Sequence, residues 1–372
     1  MPVRATKRGE QRTGLDREAD VLICGASFAG LCVARELEGS GARTLIVDRY
    51  EIGERQTSAC AAPTAWLENL GLGASILQTF ATIKIHTPLR DFSLSLPYTF
   101  CTFDYRELCR LLRAQSPSAE FETAKVEGIA LSPSGAHTVH SDRGPLRAPL
   151  VVDALGWRRV LDPASKIQPP NARLSRGLEV HPPASGEHLE IWIDPRYVRA
   201  GYSWSFPARD EVRVGVGSFE PRDHVKDPTV QLAADLDLEP LGYQGNWIPH
   251  KLRPATAAGV FFAGDSAGHC LPLTAEGIRT AFYFGIALGR ELRLVAEHSV
   301  TREQALERYA AFSADRAWHF RWLLRVQHLV GRITGLPLAT TLLQGLEHQR
   351  ILDWAFKRYL DVAPPAFGLR QE

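Results

Sequence analysis

Residues 20–49, DVLICGASFAGLCVARELEGSGARTLIVDR, constrain the fold more than any other stretch of this chain. An apolar strand enters a glycine turn, a helix follows from about Phe28 to Glu38, and a second apolar strand ends at Asp48. This order predicts a βαβ unit built on a parallel sheet, and units of this kind bind the pyrophosphate of a dinucleotide at the helix N-terminus.

Four residues of this unit have the chemistry that a dinucleotide needs. Gly25 permits the tight turn, and Gly30 allows close packing of the helix on the strand. Ser27 stands where the G-x-G-x-x-G pattern has its middle glycine, so the approach to the pyrophosphate must tolerate a Cβ, or the hydroxyl itself donates to phosphate. Asp48 follows Gly30 at close to the spacing at which a carboxylate reaches a ribose hydroxyl.

Two further stretches narrow the choice of dinucleotide. In GVFFAGDSAGHCLPLTAEGIRTAFYFGIALGREL, residues 259–292, an apolar strand ends at Asp265 and a long helix starts near Glu276. A carboxylate there can hold a ribityl chain, and the backbone of Gly277 and Ile278 can direct a helix N-terminus at the pyrimidine end of a flavin. In LVVDALGWRR, residues 150–159, another strand runs into a turn.

The three stretches in this order resemble FAD-dependent oxidoreductases of the two-domain hydroxylase type, over about residues 20–300. The resemblance implies FAD as the cofactor. It also implies that Arg49 lies over the adenine end, that Arg106 lies beside the pyrophosphate and ribityl chain, and that the backbone of Val126 contacts the adenine.

Residues 201–207, GYSWSFP, and the following VGVG resemble the G-Y-x-W-x-F-P … V-G-x-G signature of the geranylgeranyl reductase family. That resemblance implies a cavity lined by Tyr202, Trp204 and Phe206 that places an isoprenoid over the flavin. The implied reaction is reduction of a carbon–carbon double bond, with hydride delivered by reduced flavin to one carbon and a proton delivered to the other.

The same family has a cysteine near the flavin, and ERQTSACAAPTAWL supplies Cys60 at the corresponding place. Cys60 is therefore the candidate catalytic residue, as an acid or as a group that holds the ring; the alternative is a small buried thiol without chemistry. Ala61 and Ala62 stand where the family usually has glycines, which leaves the geometry beside the ring, and hence the substrate, open.

Two other enzyme activities fit the same pattern. Flavin-dependent halogenases carry W-x-W-x-I-P at the corresponding place and need a lysine, for which Lys84 in TIKIHTP is the candidate; monooxygenases share their peroxyflavin chemistry. A flavin- or lipid-binding protein without chemistry is the alternative from another class. NADPH is a candidate electron donor. The sequence has no second glycine fingerprint, but many enzymes of the superfamily that it resembles let NAD(P)H approach FAD without one, so this absence leaves the donor open.

Composition limits partners and location. A net charge of +1 gives no reason to expect nucleic acid as a partner, and the six scattered cysteines and the histidines show no metal-ligand spacing. This cysteine pattern is typical of reduced thiols in a cytoplasmic protein. Residues 1–18 are polar and basic and read as a flexible tail, and no apolar run approaches the length that spans a bilayer.

The predicted fold class is α/β: a Rossmann-like FAD-binding domain, a β-rich substrate domain and a helical C-terminal region. Alternating strands such as IKIHTPL, HLEIWIDP and VRVGVG predict the β-rich domain. The predicted divisions are 1–18 for the tail, 19–80, 101–160 and 250–300 for the discontinuous FAD-binding domain, 81–100 and 161–249 for the substrate domain, and 301–372 for the helices.

The helical region has two notable patterns. Thr301 and Gln304 have the spacing of a capping box. Arg321, Arg325, His328 and Arg332 form a basic stripe opposite apolar residues, which is compatible with peripheral contact with an anionic membrane and equally with a helix that packs on its own domain. The partner expected from these patterns is an apolar small molecule, and the sequence does not indicate an oligomeric state.

Overall fold

The structure of the chain is a computed structural model that describes residues 13–56, 58–132, 135–162, 164, 174–333 and 337–370. The strands are β1 Arg17–Glu18, β2 Val21–Cys24, β3 Thr44–Asp48, β4 Ala61–Pro63, β5 Ile76–His86, β6 Asp91–Phe103, β7 Glu120–Thr123, β8 Val126–Ala130, β9 His137–Ser141, β10 Gly144–Ala148, β11 Leu150–Asp153, β12 Leu174–Val180, β13 Leu189–Trp192, β14 Gly201–Ala208, β15 Glu211–Ser218, β16 Gln244–Pro249, β17 Thr256–Ala257 and β18 Val260–Phe262.

The helices are α1 Phe28–Leu37, α2 Thr64–Asn69, α3 Tyr105–Ala114, α4 Lys226–Asp235, α5 Ile278–Ala296, α6 Arg302–Asp315, α7 Ala317–Ile333, α8 Pro337–Gly345 and α9 Gln349–Asp361, with short 3-10 turns at Gly73–Ser75, Gly264–Ala267 and Pro365–Gly368. Mixed strands and helices in this order confirm the predicted α/β class.

A six-stranded sheet forms the nucleotide side of the molecule, in the order β17-β18-β11-β2-β3-β7. All neighbouring strands in it are parallel except β17, which pairs with β18 in the antiparallel sense. Its central strands are short apolar runs because a parallel sheet is buried on both faces. The carboxyl ends of β2, β3 and β11 therefore meet at one edge, which is where ligands bind in sheets of this kind.

Helices α1 and α5 pack against each other at glycines. A Cβ on Gly285 would lie 2.7 Å from the carbonyl oxygen of Ala29, and one on Gly289 would lie 2.9 Å from that of Val33. Because contacts advance by four residues on both helices, the two run parallel. This arrangement brings the N-termini of α1 and α5 to the same side of the sheet.

An eight-stranded sheet forms the β-rich side, in the order β16-β12-β15-β14-β13-β5-β6-β4. One face packs on α4 through Val212, Val214 and Val216. The opposite face carries Tyr202, Trp204 and Phe206 of β14. Further along the same face, an apolar cluster of β5 and β6 contacts Leu352 of α9. Strand β5 begins at residue 76 and β6 ends at residue 103, so the sheet extends past the predicted divisions at 80/81 and 100/101.

A smaller sheet, in the order β1-β10-β9-β8, includes Arg17 and Glu18, which were predicted to lie in the flexible tail. Arg17 and Glu18 pair in parallel with Leu146 and Arg147, and Leu15 is buried in the core. The prediction of a loose tail is therefore wrong for residues 13–18, because burial of Leu15 and the pairing of β1 with β10 fix their position. Residues 1–12 lie outside the described residues.

The C-terminal region is helical, as predicted. The capping box of Thr301 and Gln304 at the start of α6 is confirmed, with both reciprocal hydrogen bonds present. None of the helices in the described ranges is long and apolar enough to cross a bilayer. All six cysteines are free and buried.

Candidate active site

The first glycine turn joins β2 to α1. Gly25 has a φ of +114°, and a Cβ on it would lie 2.3 Å from the carbonyl oxygen of Ala154. A Cβ on Gly30 would lie 1.9 Å from the carbonyl oxygen of Gly25. Glycine is thus required at both positions, the first for conformation and the second for the approach of α1 to the turn.

The N-terminus of α1 is free to bind an anion. Ser27 is the N-cap residue, and its side chain makes no capping hydrogen bond. Instead, its Oγ accepts a hydrogen bond of 3.1 Å from the Tyr105 hydroxyl of α3. The first N–H groups of α1 therefore remain available for phosphate oxygens.

Asp48 closes the same turn from the end of β3. Its carboxylate accepts hydrogen bonds from the backbone N–H of Ala26 at 2.8 Å and of Tyr50 at 3.1 Å. Burial raises the pKa of Asp48, although these backbone hydrogen bonds oppose the shift. Arg49 is exposed and lies over the ring of Tyr50 at 4.8 Å.

Arg106 and Val126 flank this turn. Arg106 is exposed on α3, and its Cα is so close to Gly53 that a Cβ there would approach to 2.9 Å. Val126 begins β8 just after the segment whose Ala124 N–H donates to the Asp48 carbonyl at 2.7 Å. The structure therefore brings Gly25, Ser27, Gly30, Asp48, Arg106 and Val126 to one end of the six-stranded sheet.

The second turn, Gly264–Ala267, places Asp265 within the electrostatic influence of Arg253, a half-buried arginine. Burial raises the pKa of Asp265 to about 6, against the opposing effect of Arg253. Burial also lowers the pKa of Arg253 to about 10. Nη2 of Arg253 donates to the Trp157 carbonyl at 3.0 Å, whereas its buried Nη1 has no hydrogen-bond partner among the described residues.

The N-terminus of α5 lies next to Asp265. Gly277 is the N-cap residue, with no side-chain cap, and Ile278 begins the helix. A Cβ on Gly277 would lie 3.5 Å both from Asp265 Oδ1 and from Cys270 Sγ. The positive end of the helix dipole and the Asp265 carboxyl therefore meet at one point.

Residues 271–277, here called the flavin-end loop, are held by the C-terminal helices. Fully buried Arg279 forms a bidentate ion pair with Glu276 at 2.8 Å, and its Nη1 donates to the carbonyls of Tyr359, Leu360 and Ala363. The Tyr359 hydroxyl also donates to Glu276. Helix α9 and the segment after it thus fix the start of α5.

The predicted cavity residues Tyr202, Trp204 and Phe206, here called the aromatic row, lie on one face of β14. Their ring centroids follow one another at 6.0 and 6.4 Å. The Tyr202 hydroxyl donates to the Thr274 carbonyl of the flavin-end loop. The row therefore meets the loop that precedes α5.

The glycines after the aromatic row make room for Trp204. Gly215 pairs with Trp204 across β14 and β15, and a Cβ on Gly215 would lie 2.2 Å from a ring carbon of Trp204. For Gly217 the same distance is 3.3 Å. The V-G-x-G pattern thus lets the indole lie flat on the sheet.

Cys60 is fully buried and has a φ of +53°, a backbone conformation that is costly for a residue with a Cβ. Its thiol donates to the Ser58 carbonyl at 3.2 Å, and burial raises its pKa. Nη1 of Arg213 donates to the carbonyls of Ala59 and Cys60 at 3.0 and 3.5 Å. Because Arg213 pairs with Phe206, the turn lies at the other end of the aromatic row.

Four charged residues, here called the charged chain, connect Trp204 to Cys60: Glu179, His181, Glu211 and Arg213. The Trp204 indole N–H donates to Glu179 at 3.2 Å, and His181 lies 3.1 Å from Glu179 and 3.5 Å from Glu211. Arg213 donates to Glu211 at 2.9 Å.

Two residues of the charged chain, His181 and Glu211, have shifted pKa values. Burial alone would lower the pKa of His181, but its hydrogen bonds to Glu179 and Glu211 raise it to about 9. Burial alone would raise the pKa of Glu211, but His181 and Arg213 lower it to about 2. At neutral pH His181 is therefore protonated and Glu211 ionised, and the two form an ion pair within the charged chain.

Lys84 lies on the wrong face of the sheet for contact with the aromatic row. Across the sheet, Lys84 pairs with Glu190 and Glu190 pairs with Ser205, whereas the Trp204 face continues through Ile191 and Ile85. Residues paired across neighbouring strands share a face, so Lys84 and Trp204 point to opposite sides.

Sequence analysis did not identify Arg253 or the charged chain. Arg253 belongs to no sequence motif, and its position depends on contacts with residues that are distant in the sequence, such as Trp157. For Arg213 a signal existed, because the alternation in VRVGVG places this arginine on the same face as the two glycines. Because that face is buried, an arginine on it has to find polar partners inside the protein.

The residues present fit FAD. The turn at Gly25, which a Cβ would fill, the two uncapped helix N-termini and the unpartnered Nη1 of Arg253 suit a ligand with a pyrophosphate and a polar ring edge. Asp48 and Asp265 supply carboxylates at the two ends, as ribose and ribityl hydroxyls require.

Comparison with known proteins gives a consistent result. No protein-family model matches the chain. A curated relative, digeranylgeranylglycerophospholipid reductase 3 of Methanosphaera stadtmanae, is 24% identical over 332 residues, which are 80% of this chain and 82% of the relative.

Solved structures share the fold. A geranylgeranyl bacteriochlorophyll reductase-like protein from Thermoplasma acidophilum aligns with a TM-score of 0.80 at 16% identity, over 94% of this chain and 98% of that protein. A flavin-dependent brominase aligns with a TM-score of 0.65 at 15% identity, over 92% and 99% of the two chains.

A probable FAD-dependent monooxygenase from Pseudomonas aeruginosa aligns with a TM-score of 0.62 at 21% identity, over 91% of this chain and 100% of that protein. These findings confirm the resemblance and the fold class predicted from the sequence.

Proposed function

We infer that this geranylgeranyl reductase-like, FAD-dependent oxidoreductase reduces carbon–carbon double bonds of an isoprenoid or a similar apolar lipid. The aromatic row carries the inference. One end of the row contacts the flavin-end loop through Tyr202, and the other end adjoins Arg213, which holds the Cys60 turn. An apolar wall thus runs between the two groups that the reaction would need.

We propose that Gly25, Ser27, Gly30, Asp48, Arg49, Arg106 and Val126 hold the adenosine diphosphate half of FAD, and that Asp265, Gly277 and Ile278 hold the flavin half. Arg253 joins the second set, because its charge acts on the Asp265 carboxyl and its buried Nη1 has no hydrogen-bond partner among the described residues. The N-terminus of α5 would stabilise negative charge on the pyrimidine end of the ring.

Bound, reduced FAD supplies a hydride to one carbon of the double bond. The protein must then orient the lipid, exclude water and provide a proton for the second carbon, so that hydride and proton together saturate the bond. Burial of an isoprenoid against the aromatic row contributes about 0.8 kcal/mol per methylene. That gain suffices for affinity without polar contacts.

Cys60 is the proposed proton donor. Burial raises the pKa of Cys60, so the thiol is protonated at neutral pH and is not a thiolate nucleophile. Donation of this proton would leave a thiolate, whose negative charge the nearby Arg213 guanidinium would stabilise, since the charge of Arg213 opposes the rise in the pKa. The left-handed backbone at Cys60 is held by the carbonyl contacts of Arg213, and this fixes where the thiol points. Arg213 is a positioning residue in this proposal.

The electron donor and the cellular location complete the proposal. We propose NADPH as the reductant of FAD, approaching without a second glycine fingerprint. The enzyme would work in the cytoplasm and contact a membrane surface, since an isoprenoid lipid is concentrated there.

Halogenase or monooxygenase chemistry is the second candidate, and the fold likeness to a brominase and a monooxygenase favours it. The position of Lys84 counts against a halogenase, because the lysine points away from the aromatic row. A monooxygenase needs no such lysine and stays open to test.

An anaerobic reoxidation distinguishes the candidates. The flavin is reduced chemically, oxygen is excluded, a geranylgeranyl lipid is added, and the visible absorbance of oxidised flavin is followed. We expect the absorbance to return and the lipid to gain two hydrogens. If the absorbance of oxidised flavin returned only after oxygen was admitted, the reductase proposal would be overturned in favour of oxygen-dependent chemistry.

A further inference from the structure

Helix α7 exposes large apolar side chains on the outside of the molecule. Its inner face is buried through Phe320, Leu323 and Gln327. On its outer face Trp318 is 60% exposed, Trp322 49% and Leu329 53%, and the two indoles stack with their centroids 6.4 Å apart. Side chains of this size are seldom left in water without a partner.

Cations lie between these apolar residues. Arg321, Arg325 and His328 are exposed on the same helix, and α7 contains no acidic residue. The basic stripe predicted from the sequence is thus exposed at three of its four positions; the side chain of Arg332 lies outside the described residues. The new observation is that tryptophans and a leucine share this face with the arginines.

Helix α9 extends the surface. Trp354 is 62% exposed and Ile351 45%. The exposed cations Arg350, Lys357 and Arg358 outnumber the exposed carboxylates of this helix, Asp353 and Asp361. Arg358 of α9 is close enough to His319 of α7 for its charge to act there: burial and Arg316 lower the pKa of His319, and Arg358 adds to the same shift. Tryptophan with arginine or lysine is the composition of helices that lie in the headgroup region of a bilayer.

The inner side of α7 contacts the candidate active site. The Gln327 side chain accepts a hydrogen bond of 2.7 Å from the backbone N–H of Leu273, in the flavin-end loop. Leu273 and Ala275 both have positive φ values, so this loop has a strained conformation that needs support. One helix therefore links the exposed surface to the loop that the aromatic row also contacts.

We propose that the outer faces of α7 and α9, around Trp318, Trp322 and Trp354, dock on a membrane surface that carries anionic lipids. Positive charge without acidic residues on α7 selects negatively charged headgroups. A second copy of the chain is a poorer occupant, because a symmetric contact would bring arginine against arginine. Membrane contact is already part of the proposed function, and this surface locates it in the fold. Delivery of lipid substrate beside the flavin-end loop rests on the proposed lipid reduction, whereas the docking surface does not.

Vesicle flotation tests the docking. The full chain with its flavin is mixed with vesicles of phosphatidylcholine alone, or of phosphatidylcholine with phosphatidylglycerol. We expect flotation with the anionic vesicles only, and loss of it at high salt. In the double variant Trp318→Ser/Trp322→Ser the partition coefficient should fall at least about tenfold, and Arg321→Gln/Arg325→Gln should remove the preference for anionic lipid.

The matched control is Leu241→Ser/Tyr243→Ser, which removes exposed apolar side chains near α4, on the other face of the β-rich sheet, and should leave flotation unchanged. Equal flotation of wild type and the tryptophan variant would overturn the proposal. So would a change of oligomeric state in the tryptophan variant, measured by light scattering, without loss of flotation, because the surface would then bind a second copy.

A separate assay keeps this proposal apart from the reductase proposal. In detergent-dispersed substrate the α7 variants should turn over like wild type, because no membrane is involved. If no lipid is reduced in detergent but flotation behaves as expected, the reductase proposal fails and the docking surface stands.

Discussion

At the scale of single residues, Cys60 combines backbone strain, burial and a position at the end of the aromatic row. A left-handed conformation in a residue with a Cβ costs on the order of 1 kcal/mol and persists only where neighbouring groups fix it. Here Arg213 binds the carbonyls on the turn. That combination is easier to explain by a function of the thiol than by packing alone.

We expect Cys60→Ser and Cys60→Ala to keep the flavin spectrum and to lose about 100-fold in the rate of double-bond reduction, since a positioned general acid contributes at least that much. Single-turnover reoxidation of reduced flavin by the lipid measures the effect. Cys101→Ala, which removes another fully buried thiol, is the control and should retain activity. Wild-type turnover in the Cys60 variants would show that the thiol has no catalytic role.

His181 makes stability depend on pH in a defined direction. Its pKa in the folded protein, about 9, lies above the 6.5 expected in the unfolded chain. Its contribution is therefore fully present below pH 6.5 and is lost as the pH rises through 9. We expect the free energy of unfolding to fall by on the order of 3 kcal/mol over that window.

The variant His181→Asn should be less stable than wild type at pH 6.5 and should lack the decline, as measured by urea unfolding at several pH values. His140→Asn, at an exposed histidine of β9, is the control. An unchanged pH profile in His181→Asn would mean that the imidazole is neutral between its two glutamates.

At the scale of secondary structure elements, β14 and β15 form the wall of the proposed cavity because glycines on one strand complement an indole on the other. The contact is a steric fit, so it can be tested with one added methyl group. A Cβ added at Gly215 would lie 2.2 Å from the nearest Trp204 ring atom, and one added at Gly217 would lie 3.3 Å away. This difference of about an ångström provides an internal comparison.

We expect Gly215→Ala to displace Trp204 and to lower stability by about 1–3 kcal/mol, the usual cost of overpacking, with a rise in KM for the lipid. Gly217→Ala should have a much smaller effect on both. Thermal unfolding and steady-state kinetics measure the two effects. Equal behaviour of the two variants would show that the indole moves away at little cost.

Elements with strong local patterns were predictable from the sequence, and their long-range partners were not. The βαβ unit, the aromatic strand and the capping box follow from periodicity, glycine positions and cap residues, all within a few residues of one another. The pairing of Lys84 with Glu190, and hence the face on which Lys84 lies, depends on which strands become neighbours. Similarly, Leu15 is a single apolar residue that carries no periodic signal.

At the scale of the whole molecule, the C-terminal region supports the loop and the helix start that we propose as the flavin end of the site. The buried pair of Glu276 and Arg279 has its remaining hydrogen bonds on α9 and the residues after it. Removing one member of a buried ion pair leaves the other uncompensated, which typically costs 3–5 kcal/mol. The helices after residue 301 are therefore part of the site and not an appendage.

We expect Arg279→Met to destabilise the protein by about 3 kcal/mol or more and to weaken flavin retention, because the start of α5 loses its support. Arg308→Met, which breaks an ion pair between an exposed arginine and the half-buried Glu291, should cost less than Arg279→Met, about 1 kcal/mol. Chemical unfolding and the ratio of flavin to protein absorbance give the two readouts. Full flavin content in Arg279→Met would separate α9 from the cofactor site.

The Arg279 contacts also set an order of events during synthesis. The nucleotide turn, its helix and Asp48 leave the ribosome early, but three acceptors of the Arg279 guanidinium are the carbonyls of residues 359, 360 and 363. A nascent chain could therefore bind adenosine diphosphate long before it can hold the flavin ring. Since domains fold as units while the chain emerges, we expect the proposed flavin end of the site to become rigid only once residues 359–363 have been synthesised and α9 has docked.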